Sequence, residues 1–379
     1  MRILFITPSG GYTGSEMMLW YLLQQLADRG HQVALFSRQR GGLHRHAGEV
    51  PFPTVFYEQS GRFLRGIYEG VYIKVKGQLP VDTALQAFHN EFKPDLWYLN
   101  TIAMPETAQL AQQLGVPYVV HFHELISALD EYPAPAVERM LTGASRLIGC
   151  ADIVCRRVRQ MGYANIDLLY SCVDTARIQP GAAPGLRTEL GIPDDAFVWL
   201  MSGTCSLRKG FDLVPDIMQH LPANTYFLWL GKDRETALTA YVNRRNRQEG
   251  LRIVLAGEQS DRYYDYLNLC DGFALTSRED PFPLVMMEAA FLGKPIAAFN
   301  SGGVSEFMQP YMGTVVNSFW PADLAAAMRD IMTGRTPVSA DVLRSRAAEF
   351  DISRLTDEWL QLFEKAPRQR DNLAPIPAN

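Results

Sequence analysis

Along this chain, short runs of β-branched and aromatic residues alternate with segments whose apolar positions recur every three to four residues. The runs predict strands at Ile3–Thr7, Val33–Ser37, Leu96–Asn100, Tyr118–Phe122, Arg146–Gly149 and Ile166–Leu169 in the first half. The second half repeats the pattern at Phe197–Ser202, Thr225–Leu230, Arg252–Ala256, Gly272–Thr276, Pro295–Phe299 and Thr314–Val316. Helical periodicity falls between most of them, for example over Glu16–Arg29, Pro105–Leu114, Pro135–Thr142 and Phe211–Leu221. Strands that are apolar along their whole length are buried on both faces, so the alternation predicts parallel sheets covered by helices.

The pattern lapses at Ala176–Gly185, whose Pro and Gly content reads as a linker. The expected organisation is an N-terminal Rossmann-like domain over 1–175, a second over 176–350, and a terminal segment over 351–379. In that last segment a helix at Ile352–Lys365 packs back on the first domain and Leu373–Asn379 forms a frayed tail. The fold class is α/β, with two doubly wound parallel-sheet domains facing across a cleft. Ligands of such sheets bind beyond the carboxyl ends of the strands.

One helix stands out. Pro283 suits a first helical position and Gly293, before Lys294-Pro295, suits a stop, so Leu284–Leu292 reads as a short helix. It is apolar on every face except at Glu288. A buried carboxylate is costly unless something donates to it, so Glu288 needs a partner: a cation from elsewhere in the fold or, the favoured reading, a pair of ligand hydroxyls. Asp280 lies just before the helix. There the unsatisfied amides of Leu284 and Val285 and the positive dipole end suit an anion such as phosphate. The alternative, with Asp280 only capping the helix, carries equal weight.

Composition narrows the classes. With 379 residues, 47% hydrophobic and 20% charged, this is an ordinary globular chain of two or three domains, and its net charge of −5 argues against general nucleic-acid binding. Charge is uneven, however. Arg29, Arg38, Arg40, Arg45, Arg62, Arg65, Lys74 and Lys76 face only Glu49, Glu58 and Glu69, and Phe63, Tyr68 and Tyr72 are interleaved. Residues 29–76 thus have the character either of a peripheral membrane or anionic-acceptor contact or of a plain solvated basic face. The five cysteines (150, 155, 172, 205, 270) show no paired CxxC spacing, so no disulfide framework or zinc site is expected. The first apolar run is too short for a signal peptide and no stretch is long enough to span a bilayer. A cytoplasmic location is expected, at the inner face of the membrane if the basic stretch is a contact.

Two strand-to-helix loops carry candidate chemistry. Pro8-Ser9-Gly10-Gly11-Tyr12-Thr13-Gly14-Ser15-Glu16 lets backbone approach a ligand, and Thr13 or Ser15 can cap the following helix. It is not GxGxxG, and no acid follows the second strand near Ser37, which disfavours a dehydrogenase. In Ser202-Gly203-Thr204-Cys205-Ser206-Leu207-Arg208-Lys209-Gly210, two adjacent cations precede a helix. They oppose its dipole, a poor choice for stability and a sensible one if an anion sits between them and the amides.

Taken together these parts resemble the family 4 retaining glycosyltransferases of GT-B architecture, the glycosyl transferases group 1. The matching order is a Gly-rich loop ending Gly14-Ser15-Glu16, then Asp28-Arg29-Gly30-His31-Gln32-Val33, a strand ending His123-Glu124, and a hinge at Ser171-Cys172-Val173-Asp174. Lys209-Gly210, the acid pair Asp280 and Glu288, and Gly293-Lys294-Pro295 complete it. The resemblance implies a catalytic set of His123, Arg208, Lys209 and Asp280. It also implies a donor-binding set of Gly14, Ser15, Gly203, Lys209, Glu279, Asp280, Phe282, Leu284, Val285 and Glu288. Within these, Asp280 would meet donor-sugar hydroxyls, Glu288 the nucleotide ribose, Arg208 and Lys209 the diphosphate, and His123 the sugar. His121, two residues earlier, reads as a core histidine.

The chain departs from the family pattern at Asp280, which replaces the usual glutamate, at Pro283 for glycine, at Thr204 for arginine and in the hinge. The resemblance implies a retaining enzyme needing no metal or cofactor, which moves a hexose from a nucleotide-diphosphate donor to a glycan or lipid-linked acceptor. UDP-sugar is favoured over GDP-sugar, the base lying near Gly231-Lys232 and Gly257-Glu258, and the pathway is polysaccharide or glycoconjugate assembly. Two other readings stay open. A non-catalytic nucleotide-sugar-binding subunit would bind donor without turnover, and a nucleotide-sugar epimerase would change the sugar without an acceptor.

Overall fold

The computed structural model describes residues 1–58, 72, 79–125, 129, 131–181, 184–233 and 236–366. Its first sheet comprises β1 (Arg2–Thr7), β2 (Gln32–Ser37), β3 (Thr54–Phe56), β4 (Leu96–Leu99), β5 (Tyr118–Phe122), β6 (Arg146–Gly149) and β7 (Ile166–Leu168). The second comprises β8 (Phe197–Ser202), β9 (Thr225–Leu230), β10 (Ile253–Gly257), β11 (Gly272–Leu275), β12 (Ile296–Phe299) and β13 (Gly313–Val316). Their orders are β3, β2, β1, β4, β5, β6, β7 and β10, β9, β8, β11, β12, β13. Every pairing is parallel. Both are doubly wound, with the order reversing between β1 and β4 and between β8 and β11, where such sheets open a crevice.

Two compact units result. One is Met1–Tyr170 with the chain from Leu355 onward, and the other is Ser171–Arg354. The units part after Tyr170 rather than after residue 175, because Val173 is tied to the far end of its unit. Its amide donates to the Phe350 carbonyl (3.0 Å) and its carbonyl accepts from the Ile352 amide (2.8 Å).

The core of each unit follows from its strands. In the first, Leu4, Phe5, Ile6, Trp97, Tyr98 and Leu99 are sealed from solvent. The helix Ile352–Lys365 sets Trp359 against Tyr98 (centroids 5.9 Å) and Phe363 against Phe5 (5.9 Å). Burying aromatic side chains of this size contributes about 1.5–3 kcal/mol each. In the second unit Phe211 packs on Trp229 at 4.7 Å, beside the buried Trp199, Phe227 and Phe273.

Three elements differ from the sequence reading. β3 is added as a short edge strand, paired through Leu35 with Thr54. The segment read as a helix over Phe211–Leu221 is a 3₁₀ turn, Phe211–Leu213, followed by a helix at Val214–Gln219, with Pro215 in its first turn. Pro283 is the N-cap of the helix Leu284–Phe291, not its first residue. That helix ends as predicted: Gly293 is left-handed (φ +76) and its amide donates to Ala290 O (2.8 Å), while the Lys294 amide donates to Ala289 O (2.9 Å). This is a Schellman stop.

The basic stretch is less free than its composition predicts. Arg29 pairs with Asp357, Arg38 with Asp82 and Arg40 with Glu58. Arg62, Phe63, Arg65, Tyr68, Lys74 and Lys76 lie outside the described residues. No helix among the described residues is long and apolar enough to cross a membrane.

Candidate active site

In the second unit, three loops converge at the point where the strand order reverses. The loop after β8 turns at Gly210, whose φ of +69 is left-handed and where a Cβ would lie 2.0 Å from the Thr276 carbonyl oxygen. Glycine is therefore required for β8's loop to touch β11's end. The hydroxyl of Thr276 donates to Lys209 O (2.8 Å) and the amide of Arg278 donates to Arg208 O (2.9 Å). Arg278 also makes a forked pair with Asp212 (2.6 and 2.7 Å). The backbone of the two cations is thus fixed before any ligand arrives.

Their side chains reach across to the loop after β11. The ammonium of Lys209 lies 2.5 Å from Oδ2 of Asp280, and Nη1 of Arg208 donates to Glu279 O (3.0 Å). Ser277 donates to the same Oδ2 (3.0 Å). Burial outweighs the attraction of Asp280 and draws the Lys209 pKa below the usual lysine range. Arg208 is exposed. The third loop, after β12, grips Asp280 by its backbone. The amide of Asp280 donates to Ser301 O and that of Gly303 to Pro281 O, each at 2.8 Å. A Cβ on Gly302 would stand 2.2 Å from Asp280 O.

Glu288 is 5% exposed on the helix Leu284–Phe291, and its partners are two phenols. Tyr263 donates to Oε2 (2.8 Å) and Tyr264 to Oε1 (3.2 Å). Among the described residues no cation pairs with this carboxylate; its donors are hydroxyls, supplied by the protein itself. Burial pushes its pKa up to about 7, against the downward pull of both phenols. Neither tyrosine is singled out by sequence reasoning, which identifies the need for a donor but not its source.

The other expected residues are placed as follows. Leu284 and Val285 are the first two residues of that helix, so its geometry gives their amides no intrahelical acceptor. Phe282 turns inward, against Phe350 (5.2 Å) and Phe307 (6.2 Å), a core position rather than an open contact surface. The carbonyl of Gly203 accepts from the indole of Trp229 (2.9 Å). The amide of Gly231 donates to Gly257 O (2.8 Å), bringing the ends of β9 and β10 together.

In the first unit, Gly14 opens the helix Gly14–Asp28. Thr13 is its N-cap but makes no side-chain cap; its hydroxyl, like that of Ser15 (3.1 Å), is turned to the buried carboxylate of Glu16. His123 follows β5 directly. Its ring lies 3.9 Å, centroid to centroid, from that of His121, which shares a 2.5 Å hydrogen bond through Nδ1 with the Tyr98 hydroxyl. Burial lowers both imidazoles, His123 to about 3, so both are neutral. The Nε2 atoms of both rings and Nε1 of Trp359 are buried without a partner among the described residues.

Solved structures share this architecture. The chain superposes on HepE of Anabaena, solved in complex with UDP-glucose, with a TM-score of 0.82 at 21% identity, covering 96% of this chain and 99% of that one. It superposes on WaaG, a glycosyltransferase involved in lipopolysaccharide biosynthesis, with a TM-score of 0.70 at 16% identity, covering 95% and 99%. The fold is that of the GT-B glycosyltransferases. Models of Glycosyltransferase Family 4 and of Glycosyl transferases group 1 match residues 12–177 and 184–349 respectively, and the chain belongs to this family of enzymes. It is 28% identical over 319 residues to the lipopolysaccharide core biosynthesis glycosyltransferase LpsD of Rhizobium meliloti, covering 80% of this chain and 85% of that one. To the D-inositol 3-phosphate glycosyltransferase of Xylanimonas cellulosilytica it is 23% identical over 398 residues, covering 96% and 94%.

Proposed function

We propose that this glycosyltransferase transfers a hexose, with retention at the anomeric carbon, from a UDP-sugar to a glycan or lipid-linked acceptor in glycoconjugate assembly. The observation that carries the reading is the convergence of Arg208, Lys209, Asp280 and the amides of Leu284 and Val285 at the strand-order reversal of the second unit. A donor bond breaks as negative charge gathers on the departing diphosphate. Fixed cations and helix amides placed there stabilise the transition state more than the ground state. They also supply the countercharge that a metal ion provides elsewhere.

Each residue has a task in this reading. Arg208 and Lys209 take the diphosphate oxygens, which releases Asp280 to accept from hydroxyls of the transferred sugar. Glu288 accepts from the ribose hydroxyls. His123, being neutral, is suited to a sugar hydroxyl and not to proton transfer. The bond from the anomeric carbon to the diphosphate oxygen breaks on the face where the acceptor oxygen bonds, and the acceptor proton passes to the leaving phosphate. Two relatives support the choice of donor and pathway: HepE was solved with UDP-glucose, and LpsD acts in lipopolysaccharide core biosynthesis.

The test is a thermal-shift screen of UDP- and GDP-sugars, followed by turnover of the best binder with lipid-linked and oligosaccharide acceptors. Product stereochemistry is read from the anomeric proton coupling. Binding without hydrolysis or transfer would make the chain a donor-binding subunit, and sugar conversion without acceptor would make it an epimerase.

A further inference from the structure

The carboxylate of Glu288 accepts one hydroxyl on each oxygen, from Tyr263 at Oε2 and from Tyr264 at Oε1. A vicinal diol bound to a carboxylate makes that same pattern, one hydroxyl to each oxygen. The two tyrosines are consecutive on one turn of chain. They are the first residues of the short helix Tyr263–Leu269, which follows the largely exposed stretch 257–262, and both are half-buried, whereas Glu288 is fixed inside a helix of buried residues. Their rings meet edge to face at 5.3 Å and need not separate for both hydroxyls to withdraw. The enclosed partner is the acid and the partner nearer solvent is the phenol pair.

The geometry points to an internal latch: Tyr263 and Tyr264 stand in for the cis-diol of a ribonucleotide on Glu288, and the ligand's two hydroxyls replace theirs one for one. This rests on the reading of Glu288 as the ribose acceptor. The latch keeps a buried carboxylate supplied with donors while no ligand is bound, and without it that acid would be left unsatisfied in an apolar helix environment. Its consequence is a site whose affinity is held down by its own tyrosines, because every binding event gives up two hydrogen bonds to gain two. Affinity for nucleotide is therefore set by these residues without their touching it.

The experiment is calorimetric titration of UDP, with GDP in parallel, into the full chain, the double variant Tyr263→Phe/Tyr264→Phe and the variant Glu288→Gln. The latch predicts roughly tenfold tighter nucleotide binding by the double variant, since its acid has no partners to surrender. It also predicts a lower melting temperature without ligand, and a larger rise on saturation with UDP. Should the double variant fail to fold, Tyr263→Phe alone is expected to tighten binding roughly threefold, half that free-energy gain. Unchanged or weaker binding in the tyrosine variants, with Glu288→Gln impaired, overturns the latch and leaves the ribose assignment standing. Parent-like binding by Glu288→Gln, or no binding of either nucleotide by the parent chain, overturns the assignment and the latch together.

Discussion

The ammonium of Lys209 sits 2.5 Å from Oδ2 of Asp280, and the two side chains are only 14% and 8% exposed. The residues are 71 positions apart, brought together by loops after the two strands that flank the order reversal. A pair this enclosed is held by its neighbours as much as by its own attraction. Desolvation consumes most of the Coulomb gain, while removing one partner leaves a charge uncompensated.

Lys209→Ala is therefore expected to abolish transfer and to lower stability by about 3–5 kcal/mol, with the fold retained by circular dichroism. The double variant Lys209→Met/Asp280→Asn removes both charges and keeps an acceptor for Ser277. It should recover most of the stability and none of the activity. Urea denaturation beside a donor-turnover assay separates the two roles. Near-normal turnover by Lys209→Ala would remove this residue from the catalytic set.

Glu288 gives a pH signature of opposite sense to most surface acids. Its carboxyl is raised from 4.5 to about 7, chiefly by burial. The folded chain thus holds this proton more tightly than the unfolded chain does. Ionisation costs nothing below the lower value, grows as pH rises between the two, and is complete above the higher, at roughly 3 kcal/mol. In Glu288→Gln this slope disappears. Unfolding free energies of parent and variant are expected to diverge in the variant's favour between about pH 4.5 and pH 7 and to run parallel above that, while nucleotide binding is lost. A constant difference across that range would contradict the burial argument.

Much of this site could be read from residue order, and the remainder is lost for identifiable reasons. The helix Leu284–Phe291 is legible because proline and left-handed glycine punctuate it within a few residues. The need of Glu288 for a donor is legible too, since seven successive residues from Leu284 to Ala290 are buried. Tyr263 and Tyr264 are not, because their contact with Glu288 depends on how a helix after β10 packs over one after β11. Ser301, Gly302 and Gly303 reach Asp280 only through the placement of β12 beside β11, which local periodicity does not encode. β3 is missed for a simpler reason, being three half-buried residues without an apolar run.

The imidazoles of His121 and His123 lie 3.9 Å apart, centroid to centroid and tilted by 51°, in surroundings that keep both uncharged. The ring of His123 is expected not to titrate between about pH 5 and pH 8 in a heteronuclear NMR experiment, against an ordinary histidine midpoint near 6.5. Tyr98→Phe would leave Nδ1 of His121 buried without its partner, at a cost of about 1–3 kcal/mol. A midpoint near 6.5 for His123 would make it a candidate for acid or base catalysis.

Asp351 joins the two ends of the second unit. It accepts from the amide (2.9 Å) and hydroxyl of Thr175 and from the amide (2.8 Å) and hydroxyl of Ser353. Burial alone would raise its pKa, but these four donors outweigh burial and hold it below the ordinary value of 3.8. For a depressed carboxyl the stabilisation is complete above the unfolded value and is lost as pH falls through the folded one. Asp351→Ala leaves two amides and two hydroxyls to find water at the end of their unit, and should lower stability at neutral pH by at least about 2 kcal/mol. Asp351→Asn, retaining one good acceptor, should fall between. Hydrogen exchange locates the effect: the amides of Thr175 and Ser353 are expected to exchange faster in Asp351→Ala while the central strands β8 and β9 keep their protection. Unchanged exchange at both amides would mean that the neighbouring backbone bonds of Val173 with Phe350 and Ile352 hold this junction unaided.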